Sequence, residues 1–159
     1  GDEEDLMGMC RLLHKESGFR DGQDRPLPFS EDKARSAVQA AIIPNRNDPS
    51  AGQMVCGIIG APRQLEASIC LMISPPWYSD APVLSELWNY VMPDYRRLSH
   101  AKTLIAFAKV VAASVQMPLA MGIVSAHRTA AKERFYERSL GVKRIGGCFV
   151  YNYDSAGAI

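Results

Sequence analysis

The sequence predicts a single α+β domain, spanning residues 1–159, in which helices cover both faces of a mixed, mostly antiparallel sheet. A chain of 159 residues has the length of one domain. Hydrophobic residues make up 47% of it and charged residues 22%, a composition typical of a folded protein rather than a disordered one. The apolar pattern changes between helical and strand spacing in the order α-α-β-β-β-α-β-α-β, which predicts a mixed sheet.

Two helices are predicted at the start of the chain. Residues 3–17 have acids in the first turn and apolar residues at helical spacing. Ser30 is the predicted N-cap of a second helix that runs to about Ile42. Prolines and glycine make residues 20–29 a loop, and residues 44–52 have the composition of a turn.

Three strands are predicted next. The apolar runs 54–59 and 64–74 form an antiparallel hairpin, because the segment between them is short and contains glycine and proline. Residues 83–92 form the third strand. Strict alternation would place the following side chains on one face of it: Leu84, Glu86, Trp88 and Tyr90.

The second half of the chain alternates helices with strands. Residues 99–116 show the clearest helical stripe of apolar residues in the sequence. A buried strand is predicted over 119–124, a polar helix over 127–140 and a last strand over 146–153.

Charge and cysteine usage exclude several classes of protein. The net charge of +1 argues against a nucleic-acid or anionic-membrane partner, and no apolar run is long enough to cross a bilayer. The acidic N-terminal residues do not resemble a secretory signal, so we expect a cytoplasmic protein. No metal site is predicted, because the cysteines lack metal-ligand spacing. We expect these to be buried free thiols: Cys10, Cys56, Cys70 and Cys148.

The most informative segment is 91–102, where a strand leads through a short basic loop into the long helix. Such a connection directs unpaired backbone N–H groups at one point, which favours an anion such as a pyrophosphate. Arg96, Arg97 and Lys102 add positive charge around that point. In the alternative interpretation, Ser99 is only a helix N-cap and the cations are solvated.

The pattern Arg96-x-x-Ser99-x-Ala101, after a Val-x-Pro at the strand end and before an apolar helix, resembles the acetyl-CoA signature of the GNAT N-acetyltransferases. That signature is Gln/Arg-x-x-Gly-x-Gly/Ala. The order of elements is also similar, including a penultimate helix that carries Phe135-Tyr136-Glu137. The resemblance covers residues 3–153, although the family's usual first strand has no counterpart in the sequence.

The resemblance implies an N-acetyltransferase that uses acetyl-CoA as cosubstrate. It implies that the main chain of the third strand pairs with the pantetheine arm, that the strand over 119–124 splays away to admit this arm, and that the helix start holds the pyrophosphate. Two arginines would act as cationic clamps. The implied cofactor-binding residues are Val91, Met92, Arg96, Arg97, Leu98, Ser99, His100, Ala101, Lys102 and Thr129.

The sequence departs from the family pattern at three places. Ser99 replaces the first glycine of the signature, with His100 following it, and serine lacks glycine's freedom of φ. Thr129 stands where the family often has asparagine. The spacing from Tyr136 to Gly141 is one residue longer than usual.

Transfer of an acyl group to an amine requires a base for the ammonium and an acid for the departing thiolate. Tyr136 is the candidate acid, by its place in the family. Glu86 is the candidate base, because a carboxyl group beside apolar neighbours has a raised pKa. In the alternative interpretation, Tyr136 bonds to backbone and Glu86 pairs with an arginine at a sheet edge.

The acceptor is expected to be a primary amine of a small molecule or a protein, bound by the first two helices and the loop 74–80. Trp77 and Tyr78 are the candidate substrate-binding residues, or alternatively a plug that covers the sheet, since large aromatics are more often buried. The alternative function is a non-catalytic interaction module with a degenerate cofactor site. Many relatives dimerise, so a homodimer stays open.

Overall fold

A computed structural model describes residues 2–21, 23, 25–43, 54–123 and 128–147. A short 3₁₀ turn, Pro93–Tyr95, precedes the third helix. None of the helices in these ranges is long and apolar enough to cross a bilayer. The helices and strands are α1 (Asp2–Glu16), α2 (Glu31–Ile42), β1 (Met54–Ala61), β2 (Gln64–Ser74), β3 (Val83–Val91), α3 (His100–Val115), β4 (Leu119–Ala120) and α4 (Thr129–Leu140).

The predicted order of elements is confirmed from α1 to α4. Ser30 caps α2 as predicted, because its Oγ accepts a hydrogen bond from the Lys33 N–H at 3.3 Å. The predicted turn over 44–52 lies outside the described residues. So does the predicted last strand, except that Gly146 and Gly147 are described and lie in no strand.

The sheet is mixed and mostly antiparallel, as predicted. Its strand order is β1-β2-β3-β4, with β1, β2 and β3 antiparallel and β4 parallel to β3. The predicted fourth strand, 119–124, was too long. Only Leu119 and Ala120 pair with β3, opposite Leu84 and Ser85, and the chain then leaves the sheet.

Each face of the sheet is covered by helix. On one face, α1 and α2 bury Leu6 and Val38 against Cys70 and Trp88. On the other face, α3 packs against a second cluster from β2 and β3. This cluster comprises Ala67, Ile69, Leu71, Leu84, Leu104 and Ala108.

A bulge in β3 makes the predicted face assignment wrong. Cys70 pairs with Trp88, but the next residue of β2, Leu71, pairs with Glu86, so Leu87 is an extra residue in β3. An extra residue in a strand reverses which face of the sheet the side chains before it occupy, relative to the side chains after it. Leu84 therefore packs on the α3 face, although Trp88 packs on the face of α1 and α2.

The described cysteines are free thiols, as predicted. Cys70 is buried, and Cys10 and Cys56 are partly buried. Burial raises the pKa of Cys10, so its thiol stays protonated at neutral pH. Cys148 lies outside the described residues.

Ser68 connects the sheet to α1 through a buried polar contact, and its removal should lower stability. Its Oγ accepts the indole N–H of Trp88 at 3.1 Å and donates to Met9 Sδ at 3.2 Å, in a fully buried position. We expect Ser68→Ala to lower the free energy of unfolding by about 1–3 kcal/mol, because it leaves the indole N–H unsatisfied. Urea denaturation measures this change. The control Ser114→Ala, on the exposed side of α3, should change it by less than about 0.5 kcal/mol. Equal effects of the two substitutions would contradict the prediction.

Candidate active site

A cavity of about 710 Å³ opens along the edge of β3. Because β4 pairs only with the first part of β3, residues 86–91 have no neighbouring strand on that edge among the described residues. The cavity is lined by all six of these residues, by α1, by the start of α3 and by α4. Its volume lies in the range of small-molecule sites.

Glu86 and Tyr136 meet in this cavity. The Tyr136 hydroxyl donates a hydrogen bond to Glu86 Oε2 at 3.1 Å and accepts one from Asn89 Nδ2 at 3.1 Å. Glu86 and Asn89 both face α4, although they are three positions apart on β3, because the bulge lies between them. The structure thus brings together the two predicted catalytic side chains. Among the described residues, the Tyr136 hydroxyl bonds to side chains rather than to backbone, and the partner of Glu86 is a tyrosine, not an arginine.

The surroundings of this pair change its acid–base properties. Burial raises the pKa of Glu86 to about 7, although the hydrogen bond from Tyr136 opposes the increase. Burial, reinforced by the neighbouring Glu86 carboxylate, raises the pKa of Tyr136 further above its ordinary value. At neutral pH the tyrosine is a proton donor, and the carboxyl group is close to half ionised.

The start of α3 forms the opposite, electropositive end of the cavity. The first turn of a helix has N–H groups without intrahelical acceptors, and the Ser99 side chain makes no capping hydrogen bond to them. Leu98, Ser99, Ala101 and Lys102 line the cavity here. Arg128 and Lys132 contribute positive charge from the side of α4. Backbone donors and cations together match the chemistry of a phosphate group.

Arg96 lies at the cavity but is held by other partners. Its Nη2 donates to Glu16 Oε1 at 2.5 Å and to the Tyr90 hydroxyl at 3.0 Å, and its Nε donates to the Val91 carbonyl at 3.1 Å. The Tyr90 hydroxyl donates to the same Glu16 oxygen at 2.9 Å. Arg96 therefore connects the end of α1 to the end of β3. Its guanidinium is held by protein groups, whereas the predicted anion clamp would leave it free to bind a phosphate.

The two strand residues predicted to pair with a pantetheine arm differ in direction. The Met92 N–H donates to the Glu66 carbonyl at 2.9 Å, so it points towards β2. Main-chain groups alternate in direction along a strand, so those of Val91 point to the open edge. Of the two residues, only Val91 also lines the cavity.

The other predicted cofactor residues do not line the cavity. Arg97 and Thr129 are exposed. The His100 ring stacks on Tyr95, with centroids 5.9 Å apart, and its Nε2 lies 2.5 Å from Glu66 Oε2 on β2. The His100 side chain therefore joins α3 to β2, and only the backbone of His100 belongs to the start of the helix.

Trp77 and Tyr78 neither line the cavity nor plug the sheet. Their exposed fractions are 96% and 74%, and the two rings contact each other edge to face at 5.4 Å. The plug interpretation was wrong, because the prolines before them keep the β2–β3 loop in an exposed turn instead of folding it onto the strands. As predicted substrate-binding residues, they lie outside the site that the described residues form.

Several residues of the cavity were missed by the sequence analysis. Asn89 was given no role, and Glu16 and Tyr90 were not connected with Arg96. The helical spacing of Cys10 and Leu13 on α1 was the available signal for an apolar wall. Contacts between residues so distant in sequence have no signal in a single chain.

Comparisons with known proteins show the fold. No protein-family model matches the sequence, and a search of curated proteins gives no significant match. Among solved structures, AAC(6')-Iy in complex with the bisubstrate analogue CoA-S-monomethyl-acetylneamine is 15% identical, with a TM-score of 0.63 over 96% of this chain and 92% of that one. The ribosomal-protein-alanine N-acetyltransferase of Brucella melitensis biovar Abortus 2308 is 13% identical, with a TM-score of 0.59 over 96% and 94%.

A third similar structure is the aminoglycoside antibiotic 6'-N-acetyltransferase AAC(6')-IG of Acinetobacter haemolyticus. It is 16% identical, with a TM-score of 0.61 over 96% of this chain and 92% of that one. The chain therefore has the GNAT fold, and the resemblance seen in the sequence is confirmed at the level of the fold.

The raised pKa of Glu86 should make stability depend on pH. The folded state keeps a proton on Glu86 between pH 4.5 and about 7, where the unfolded state has lost it. The free energy of unfolding therefore falls as the pH rises through this range. Glu86→Gln removes this dependence. We therefore expect the free energy of unfolding of the variant, measured relative to that of the wild type, to be up to about 3 kcal/mol higher at pH 8 than at pH 4.

Urea denaturation at several pH values measures this difference. The matched control is Glu133→Gln, which changes a carboxylate of α4 that pairs with Arg144 outside the cavity. Parallel pH curves for wild type and Glu86→Gln would show that the Glu86 pKa is not raised.

Proposed function

We propose that the protein is an N-acetyltransferase that moves the acetyl group of acetyl-CoA to a primary amine by direct attack in a ternary complex. The observation that carries this proposal is the hydrogen-bonded pair of Glu86 and Tyr136 on the open edge of β3. This pair lies in the same cavity as the uncapped start of α3. A proton-transfer pair and an anion site in one cleft are the two parts that the reaction requires.

The chain offers a fitting set of groups for the CoA moiety. The pyrophosphate would lie against the N–H groups from Ser99 to Lys102, with cationic support from Lys102 and Arg128. The pantetheine arm would pair with the N–H of Val91, which points to the open edge, since the Val91 carbonyl already accepts from Arg96 Nε. Bound in this way, acetyl-CoA supplies an activated thioester next to the tyrosine and the carboxyl group.

The residues of the site would handle the protons of the reaction. The Glu86 carboxylate takes one proton from the acceptor ammonium and so produces the nucleophilic amine. The amine nitrogen forms a bond to the acetyl carbon as the carbon–sulfur bond breaks, and the nitrogen loses its second proton. Tyr136 gives its proton to the sulfur and regains one from Glu86 through their hydrogen bond. One of the two protons of the ammonium thus ends on CoA and the other in solvent.

The similar structures support this proposal. One contains a bisubstrate analogue with a CoA part, and the others are described as N-acetyltransferases of an aminoglycoside antibiotic and of a ribosomal protein. These acceptors differ in kind, so they favour acetyl transfer to an amine without favouring one acceptor over another.

The kinetics of acetyl-CoA-dependent thiol release test the proposal. With acetyl-CoA and an amine acceptor, kcat/KM of the wild type should rise with pH through about 7, because Glu86 must be ionised to act as a base. Glu86→Gln should lose this rise and at least about a hundredfold in kcat. Tyr136→Phe should lower kcat far more than it changes the KM for acetyl-CoA.

Tyr95→Phe is the matched control for the tyrosine, because Tyr95 stacks on His100 outside the cavity. It should keep kcat close to that of the wild type. If Glu86→Gln and Tyr136→Phe both retain wild-type kcat and an unchanged pH profile, the catalytic assignment is wrong.

A further inference from the structure

The cavity continues past the edge of β3 to the face covered by α1. We call this part the acceptor arm, formed by Cys10, Leu13, His14, Phe29, Leu87 and Trp88. Its lining is apolar and aromatic, apart from the imidazole of His14. That ring contacts Phe29, with centroids 5.2 Å apart, and its Nε2 lies 2.5 Å from the Leu27 carbonyl. The His14 imidazole therefore already has its hydrogen-bond and ring partners in the loop that contains Leu27 and Phe29.

Carboxylates are scarce in the described lining of the cavity. Glu16 and Glu86 are the only two acids there. Glu16 accepts hydrogen bonds from Arg96 and Tyr90. Burial acts to raise the pKa of Glu16, but these hydrogen bonds outweigh it and lower the pKa. Its charge is thus already neutralised by a guanidinium, which leaves Glu86 as the one acid facing an incoming amine.

Two loop acids that the structure describes, Asp21 and Asp80, do not supply a further negative charge to the arm. Asp21 accepts hydrogen bonds from the N–H groups of Gln23 and Arg25 and pairs with the Arg25 side chain at 2.9 Å. Asp80, on the β2–β3 loop, does not line the cavity. The other charged residues of the described lining are Arg96, Lys102, Arg128 and Lys132, all positive.

From this distribution we infer that the acceptor is a primary amine with a single positive charge on an apolar body, either aliphatic or aromatic. The inference rests on the proposed function and specifies the substrate class of the same site. An apolar body gains free energy by burial in the acceptor arm. A second ammonium group on that body would lose its hydration without a carboxylate partner, which disfavours polycations such as aminoglycosides.

The same arm favours the first proton transfer. An ammonium group surrounded by apolar side chains has a lowered pKa, because burial disfavours its charged form. The pKa of Glu86 is raised to about 7 by the same effect. The two values approach each other, so the proton passes from nitrogen to carboxylate more easily than it would in water.

Calorimetric titration with a matched pair of ligands tests the inference. Hexylamine and hexamethylenediamine share one carbon chain and differ by a second terminal amine. In the presence of CoA, we expect hexylamine to bind the wild-type protein at least about tenfold more tightly than the diamine. Phenethylamine, with one charge and an aromatic body, should behave as hexylamine does.

Substitution of Leu13 in the arm provides the reciprocal experiment. Leu13→Glu adds a carboxylate to the acceptor arm and should reverse the preference, so that the diamine becomes the tighter ligand. Leu13→Gln adds polarity without charge and should weaken hexylamine binding without favouring the diamine. If Leu13→Glu does not fold, the comparison of ligands on the wild-type protein still decides the question.

Binding and turnover separate this inference from the proposed function. If hexylamine binds preferentially but is not acetylated, the inference about the arm holds and the proposed enzyme activity fails. If the diamine or an aminoglycoside binds as tightly as hexylamine, or if no monoamine binds, the inference is overturned. Efficient acetylation of such a polycation would overturn it while supporting the proposed function.

Discussion

The extra residue in β3 is the constraint on which the rest of the site depends. Without the bulge at Leu87, strict alternation would turn Glu86 to the same face as Trp88 and Tyr90, against α1, and away from Tyr136. The bulge instead places Glu86 and Asn89, three positions apart, beside one hydroxyl group on α4. A carboxyl group on that face is buried enough for its pKa to rise to about 7. The acid–base property of the site is therefore a consequence of strand register.

The second constraint is the short pairing between β3 and β4. Two residue pairs join these strands, and the rest of β3 presents its edge to the cavity. Three different environments meet along this edge: the Glu86–Tyr136 pair, the electropositive start of α3 and the apolar acceptor arm. Arg96 and Glu16 connect α1 to the end of β3, which fixes the acceptor arm relative to the start of α3. One interrupted sheet edge thus brings the Glu86–Tyr136 pair, the start of α3 and the acceptor arm into one cavity.

The sequence predicted the helices and strands because their apolar residues follow clear periods, and it singled out Glu86 and Tyr136. The bulge was missed, although the apolar–polar alternation of residues 84–90 breaks at Glu86 and Leu87, because a polar residue at one strand position does not by itself indicate an extra residue. The sequence overestimated β4, because the apolar run 119–124 has the composition of a strand whether or not a partner is present. Arg96 was predicted as an anion clamp, and its contacts with Glu16 depend on packing of α1 that no local pattern encodes. Trp77 and Tyr78 were predicted to bind the acceptor or to cover the sheet, because large aromatic residues are usually buried, whereas both are exposed in the structure.

The central claim is that the main-chain amides at the start of α3 hold the diphosphate of CoA. Backbone amide chemical shifts, followed by NMR during titration with CoA, test it most directly. The largest changes are expected from Ser99 to Lys102 and at Val91, with little change at Trp77 and Tyr78. Ser99→Asp, which places a negative charge at the N-cap, should abolish these changes while the fold persists. Unperturbed amides at the start of α3 under saturating CoA, or equal changes in Ser99→Asp, would contradict the account.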